Sequence, residues 1–214
     1  MNIIKSHYKL QMKVFIGLIV TISLIALSLP VKKVSALQEK HIYPSRDAYV
    51  RSDQATSNFD TSTNLLVGYN SIGPAPANYE AWFYFDLTEI QNAENVSQVT
   101  FDIFVENCDN WGSPNISTWL ASDSWTESGL TFENKPSLQV ELNYFDVTAW
   151  SMSIMLYSEG KDLIGDNSSF TICLRDSGSD SDYFSMYSRE YSDEAKRPNL
   201  RYYALDDTEI FGFD

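Results

Sequence analysis

Four aromatic residues stand in succession at Trp82-Phe83-Tyr84-Phe85, inside a run from Ala81 to Leu87. Such density suits a pleated, half-buried surface and predicts a strand. The run is one of about eight short alternating or apolar segments separated by Gly, Pro and Asn turns, the pattern of an antiparallel all-β chain. The others are Asp47–Arg51, Leu65–Tyr69, Val99–Glu106, Ile116–Ala121, Tyr144–Val147, Ser169–Leu174, and the arms Tyr183–Glu190 and Arg197–Tyr203. Polar punctuation such as Gly73, Pro74 and Pro76 marks the loops between them. Thr148 is placed to cap one short helix running to Tyr157. The expected fold is an antiparallel β-sandwich, a jelly roll first and an immunoglobulin-like order second.

Strand alternation assigns faces. Phe83, Phe85 and Leu87 point one way and Trp82 and Tyr84 the other. In the last two arms Phe184, Met186, Leu200 and Tyr202 point inward, while Tyr183, Tyr187, Arg201 and Tyr203 point out. These arms are expected to pair as a hairpin turning at Tyr191–Lys196, because Pro198 has no N–H and belongs at a strand's start. A final strand of this kind closes a sheet begun near the N-terminus. Sugar recognition needs rings presented flat beside polar groups. The candidate ligand set is therefore Trp82, Tyr84, Tyr183, Tyr187, Arg201 and Tyr203, on condition that the strands share a sheet. Packing of these rings under loops is the competing reading. Trp111 is a further loop-tip aromatic, and Arg189 and Glu190 are expected to form a structural ion pair.

The N-terminus reads as an export signal over residues 1–36. Lys5, Lys9 and Lys13 precede an uncharged run from Val14 to Leu29, and Val34-Ser35-Ala36 offers a cleavage site. An uncleaved anchor is the alternative, with Lys32 and Lys33 unusual after the run. Removal of the segment leaves 10 basic against 29 acidic residues. So acidic a chain does not bind nucleic acid through a generic basic surface. Residues 42–205 are expected to form one domain, followed by an acidic tail at 206–214.

Catalysis lacks its usual bases, since His41 is the one histidine beyond residue 36. Carboxylates are abundant, so a two-carboxylate glycosidase is the enzymatic alternative. Oxygen-rich segments suggest structural calcium. Asp47, Asp53, Asn58 and Asp60 form the first candidate set, and Asp176, Asp180 and Asp182 the second. Cys108 and Cys173 both fall out of core phase, so a disulfide between them and two separate thiols are both open. Asn95, Asn115 and Asn167 each begin an N-glycosylation acceptor triplet.

Four ordered segments resemble the DNRLRE domain family, which is similar to carbohydrate-binding module family 96 and to disaggregatase-associated domains. They are Asp47–Val50 with Asn58 and Leu65–Gly68; Phe83–Leu87 with Val96–Val105; Trp125-Thr126-Glu127 with Leu130–Pro136; and Tyr187–Glu190 with Arg197–Leu200, preceded by Phe145–Thr148. The resemblance implies a jelly-roll sandwich of secreted and cell-surface proteins, some binding acidic glycans, and no catalysis. Phe132 stands where the family commonly has Trp, and Tyr84 where it commonly has Arg or Lys, which removes an outward cation.

The expectation is an exported, non-catalytic module recognising a polysaccharide or glycoconjugate at the cell surface or outside it. A structural or adhesive surface protein meeting another protein is the alternative, and a polysaccharide-degrading enzyme the third. Nucleic acid is excluded as a partner, and the membrane enters only through an uncleaved N-terminal segment.

Overall fold

A computed structural model describes residues 37–71, 75–88, 90, 96–108, 114–148, 150–159, 168–177 and 182–205. The N-terminal segment, the 206–214 tail, Trp111, Asn95, Asn167 and Asp180 lie outside the described residues.

Eleven strands are described: β1 Leu37–Ile42, β2 Arg46–Arg51, β3 Asn64–Asn70, β4 Ala77–Asp86, β5 Val96–Cys108, β6 Asn115–Ala121, β7 Leu138–Asp146, β8 Ser151–Glu159, β9 Ser169–Asp176, β10 Tyr183–Tyr187 and β11 Asn199–Leu205. All pair antiparallel in one continuous eleven-stranded sheet, which folds over at β5 into two layers. The first runs β1–β11–β5–β8. The second runs β10–β3–β4–β9–β6–β7, with β2 also paired to β4. Strand β5 belongs to both: Val96–Phe104 pairs with β11 and β8, while Val105–Cys108 pairs with β10. The antiparallel sandwich is as expected, and so is closure of the first strand by the last.

Two expectations are corrected. Residues 148–157 form no helix, since Ser151–Glu159 is strand β8 on the edge of the first layer. The alternation Met152, Ile154, Leu156 places apolar side chains against the sandwich core, a period of two that outweighs a lone capping threonine. Nor do the last two arms pair as a hairpin. Strand β10 joins β3 and β5 in the second layer, and β11 joins β1 and β5 in the first. The segment between them crosses from one layer to the other.

The core between the layers is aromatic. Phe83 and Phe85 of β4 meet Phe101 of β5 edge-on, with centroids 5.0 and 5.8 Å apart, and Phe85 stacks on Phe170 of β9 at 5.4 Å. Each such pair is worth about 0.5–1.5 kcal/mol beyond the area it buries. Gly68 of β3 has φ +121°, the left-handed side that a glycine tolerates. A Cβ there would lie 2.5 Å from the Asp182 carbonyl oxygen.

A second, smaller core lies on the outer face of the second layer. Ala48 and Val50 of β2, Trp82 of β4, Ala121 of β6 and Cys173 of β9 are roofed by Trp125 and Leu130. The 122–137 segment that carries this roof is pinned at several points. The Trp125 indole N–H donates to Thr171 Oγ1 at 3.0 Å, and Asp123 accepts from Thr171 and Ser169 at 2.8 and 2.7 Å. Asn58 Nδ2 donates to the carbonyls of Glu127 and Leu130 at 2.7 and 2.8 Å.

The two cysteines form no disulfide. Cys108 ends β5 and Cys173 lies on β9, with β10, β3 and β4 between them in the sheet. Cys173 is fully buried in the outer core, and burial pushes its thiol pKa up.

Candidate functional site

The six residues singled out for ligand binding do not form one patch. Trp82 is fully buried beneath the 122–137 segment. Tyr84 is half-buried with the Arg46 guanidinium 3.6 Å over its ring. Tyr183 meets Tyr79 at 5.2 Å between centroids, and Tyr187 stacks on Tyr191 at 3.9 Å. Those two belong to β10 in the second layer, whereas Arg201 and Tyr203 belong to β11 in the first.

Arg201 and Tyr203 are brought together. Arg201 donates to both oxygens of Asp102 at 2.7 and 3.4 Å, to Ser153 Oγ at 3.2 Å and to the Tyr203 hydroxyl at 3.1 Å. Tyr203 donates in turn to Glu39 at 2.8 Å, and His41 spans Glu39 and Asn199 at 3.1 and 2.8 Å. Four strands supply these residues because the register sets His41 opposite Arg201, Glu39 opposite Tyr203, and Asp102 opposite both Asn199 and Ser153. The Asp102 carboxylate raises the Arg201 pKa, and the Tyr203 hydroxyl lowers that of Glu39. Side-chain exposure falls from 46 % at Glu39 to 23 % at Arg201 and 15 % at Asp102. The outer face of the first layer is thus a row of charge-assisted donors and acceptors beside a tyrosine ring. Among the described residues no segment roofs it as 122–137 roofs the other layer. Paired guanidinium and carboxylate groups held in this way can exchange hydrogen bonds with hydroxyl-rich ligands.

The first metal set is not assembled as a unit. Asp53 is taken by Arg51 at 2.6 and 2.5 Å, which lowers its pKa. Asn58 is spent on backbone groups, its Oδ1 accepting from the Asp60 N–H at 3.1 Å. Of the second set, Asp182 uses its backbone carbonyl to accept from Tyr69 N–H at 3.0 Å, and Asp176 ends β9.

Asp47 instead gathers with Glu127 and Glu190, one carboxylate oxygen of each lying within 4.8 Å of the others. Glu127 is saturated: Asp47 N–H donates to it at 2.9 Å and Arg189 at 2.9 and 2.8 Å. Arg189 also pairs with Glu190 at 2.8 Å, the ion pair expected from the sequence, and its N–H donates to Asp47 Oδ2 at 2.8 Å. Asp47 Oδ1 and Glu190 Oε2 have no donor. Burial first, and the Glu190 charge next, push the Asp47 carboxyl well above the ordinary range. A proton held between two carboxylates meets that need. Glu127 escaped sequence reasoning because it sits in a 3-10 turn with no strand phase to aim it.

Asn115 begins β6, which is paired on both sides. Its amide donates to Asp146 at 2.9 Å and its carbonyl oxygen accepts from the Ser177 hydroxyl. Tyr144 and Trp150, at 68 % and 69 % exposure, are prominent rings that alternation did not single out.

The model of carbohydrate-binding module family 96 matches residues 38–202. No curated protein matches the chain. Among solved structures, the chain is similar to the K1 cleaved adhesin domain of Lys-gingipain from Porphyromonas gingivalis W83. That similarity has 10 % identity and a TM-score of 0.33, covering 80 % of this chain and 99 % of the other.

Proposed function

The chain belongs to carbohydrate-binding module family 96, and on that premise we propose an exported, non-catalytic module that binds a polysaccharide on the outer face of the first layer. The observation that carries this reading is the Arg201 guanidinium, held by Asp102 beside Tyr203 on a sheet face that no segment roofs among the described residues. A sugar chain lying across β1, β11, β5 and β8 would meet a ring to stack on and fixed polar groups to read its hydroxyls. Export draws on the N-terminal segment, whose removal after Ala36 leaves the first strand intact from Leu37.

Affinity electrophoresis through gels containing neutral or acidic polysaccharides tests the binding. The wild-type chain should be retarded by at least one of them, and Tyr203→Ala should run as it does in an empty gel. Equal retardation of both proteins would remove this face from the reading, and release of reducing ends would make the protein an enzyme.

A further inference from the structure

The second layer has a polar pocket of about 320 Å³ just beyond the stretch where β4 and β9 pair. Asn78, Tyr79 and Glu80 of β4 and Arg175, Asp176 and Ser177 at the end of β9 line it. Its wall holds an unsatisfied carboxylate. Glu80 is 2 % exposed, yet only one of its oxygens is satisfied: Oε1 accepts from Lys135 Nζ at 2.8 Å and lies 3.8 Å from Arg175 Nε. Oε2 is buried with no donor. A buried acceptor without a donor is costly, and native structures rarely keep one without a use. Arg175, by contrast, is 40 % exposed and lies at the same opening.

We propose that this pocket is a second sugar subsite, taking one neutral, hydroxyl-bearing sugar unit. Glu80 Oε2 accepts from one hydroxyl, and Arg175 donates to its neighbour. The donor that Oε2 lacks excludes a carboxylate at that position, because an ionised acid offers no proton. Glu80 and Asp176 balance Lys135 and Arg175, so the pocket has no excess charge to attract an acidic sugar. Its volume lies at the low end of ligand pockets, about 300–1,000 Å³, and suits a single unit rather than a long chain. Tyr79, whose ring packs against Tyr183 and is almost fully buried, closes the floor of the pocket, so recognition there is polar. This subsite is on the other layer from the Arg201 face, so it goes beyond the reading above.

Amide-resolved NMR titration of the intact domain with methyl glycosides of neutral hexoses and pentoses, and with a methyl uronoside, tests it. At least one neutral glycoside should shift the amides of residues 78–80 and 175–177. Glu80→Gln and Arg175→Ala should each weaken that response about tenfold. Arg175 is the safer variant, since its side chain is partly in water and its loss leaves Glu80 paired with Lys135. Absence of shifts with every neutral glycoside, shifts produced only by the uronoside, or an unchanged response in Arg175→Ala would each overturn the proposal. Shifts confined to β1 and β11 amides would also overturn it while favouring the first-layer face, so the two readings fail separately.

Discussion

Trp125 donates its indole N–H to the hydroxyl of Thr171 at 3.0 Å, and that bond fastens the 122–137 segment to the middle of β9. Trp125 is 7 % exposed and covers Trp82 with Leu130. Trp125→Ala should cost about 3–5 kcal/mol, as large-to-small changes of buried aromatics do. Urea unfolding followed by tryptophan emission checks it, with the native emission of the variant red-shifted as Trp82 meets water. A loss below about 1 kcal/mol would mean that the segment is not a roof.

Asp47 and Glu190 make stability depend on pH with a defined sign. The folded Asp47 carboxyl has a pKa raised above the ordinary value of 3.8, so the folded state holds a proton that the unfolded state has released. The contribution is complete below the ordinary value and is lost as pH rises through the raised one. Asp53, Glu39 and Asp86 are lowered instead, so their contributions disappear only under stronger acid. Wild-type stability should therefore decline as pH rises from the ordinary carboxylate value through the raised one, and Asp47→Asn should flatten that limb. Denaturation midpoints collected at successive pH values would show it, and parallel curves for the two proteins would contradict the shared proton.

On the first-layer face, Arg201→Lys keeps the charge but loses the fork that reaches Asp102, Ser153 and Tyr203. Polysaccharide affinity should fall about tenfold. Stability should change by no more than about 1 kcal/mol, because this network is partly in water. Calorimetric titration and thermal melts separate the two effects.

Gly68→Ala places a Cβ 2.5 Å from the Asp182 carbonyl oxygen and 2.7 Å from Tyr183 Cα, at a φ of +121°. The expected cost is about 1–3 kcal/mol from backbone strain, plus a displaced start to β10. Chemical denaturation measures the first, and loss of amide-exchange protection at Tyr183 and Phe184 reports the second.

Two thiols should react after denaturation without reductant, since Cys108 and Cys173 form no disulfide. In the native state Cys173 should resist alkylation, being fully buried with a raised pKa. Mass spectrometry after labelling in each state reads both.

Much of the architecture was visible in side-chain alternation, because the period of two is a local property that any strand must show. It placed Phe83 and Phe85 inward and Trp82 outward, all in the phase observed. Outward did not mean wet: Trp82 faces a second core whose lid is supplied by Trp125 and Leu130, far along the chain, a non-local fact without a periodic trace. Alternation also assigns faces and not neighbours. The arms ending in Tyr187 and Tyr203 therefore read as one hairpin, although β10 and β11 lie in different layers. Glu80 shares the outward phase of Trp82 and Tyr84, and a carboxylate in such a row was the available sign of the pocket. Asp47 was recognised as a ligand-type residue, but its companions Glu127 and Glu190 arrive from turns that periodicity does not describe.

Strand β5 enters as a member of one layer and leaves as a member of the other within thirteen residues. Neither layer can then loosen privately, because slack introduced at Val105 is passed along an unbroken backbone to both. A ligand gripped on one side and a sugar held on the other would accordingly draw on a common rigidity, and force applied to either would be resisted by the whole module.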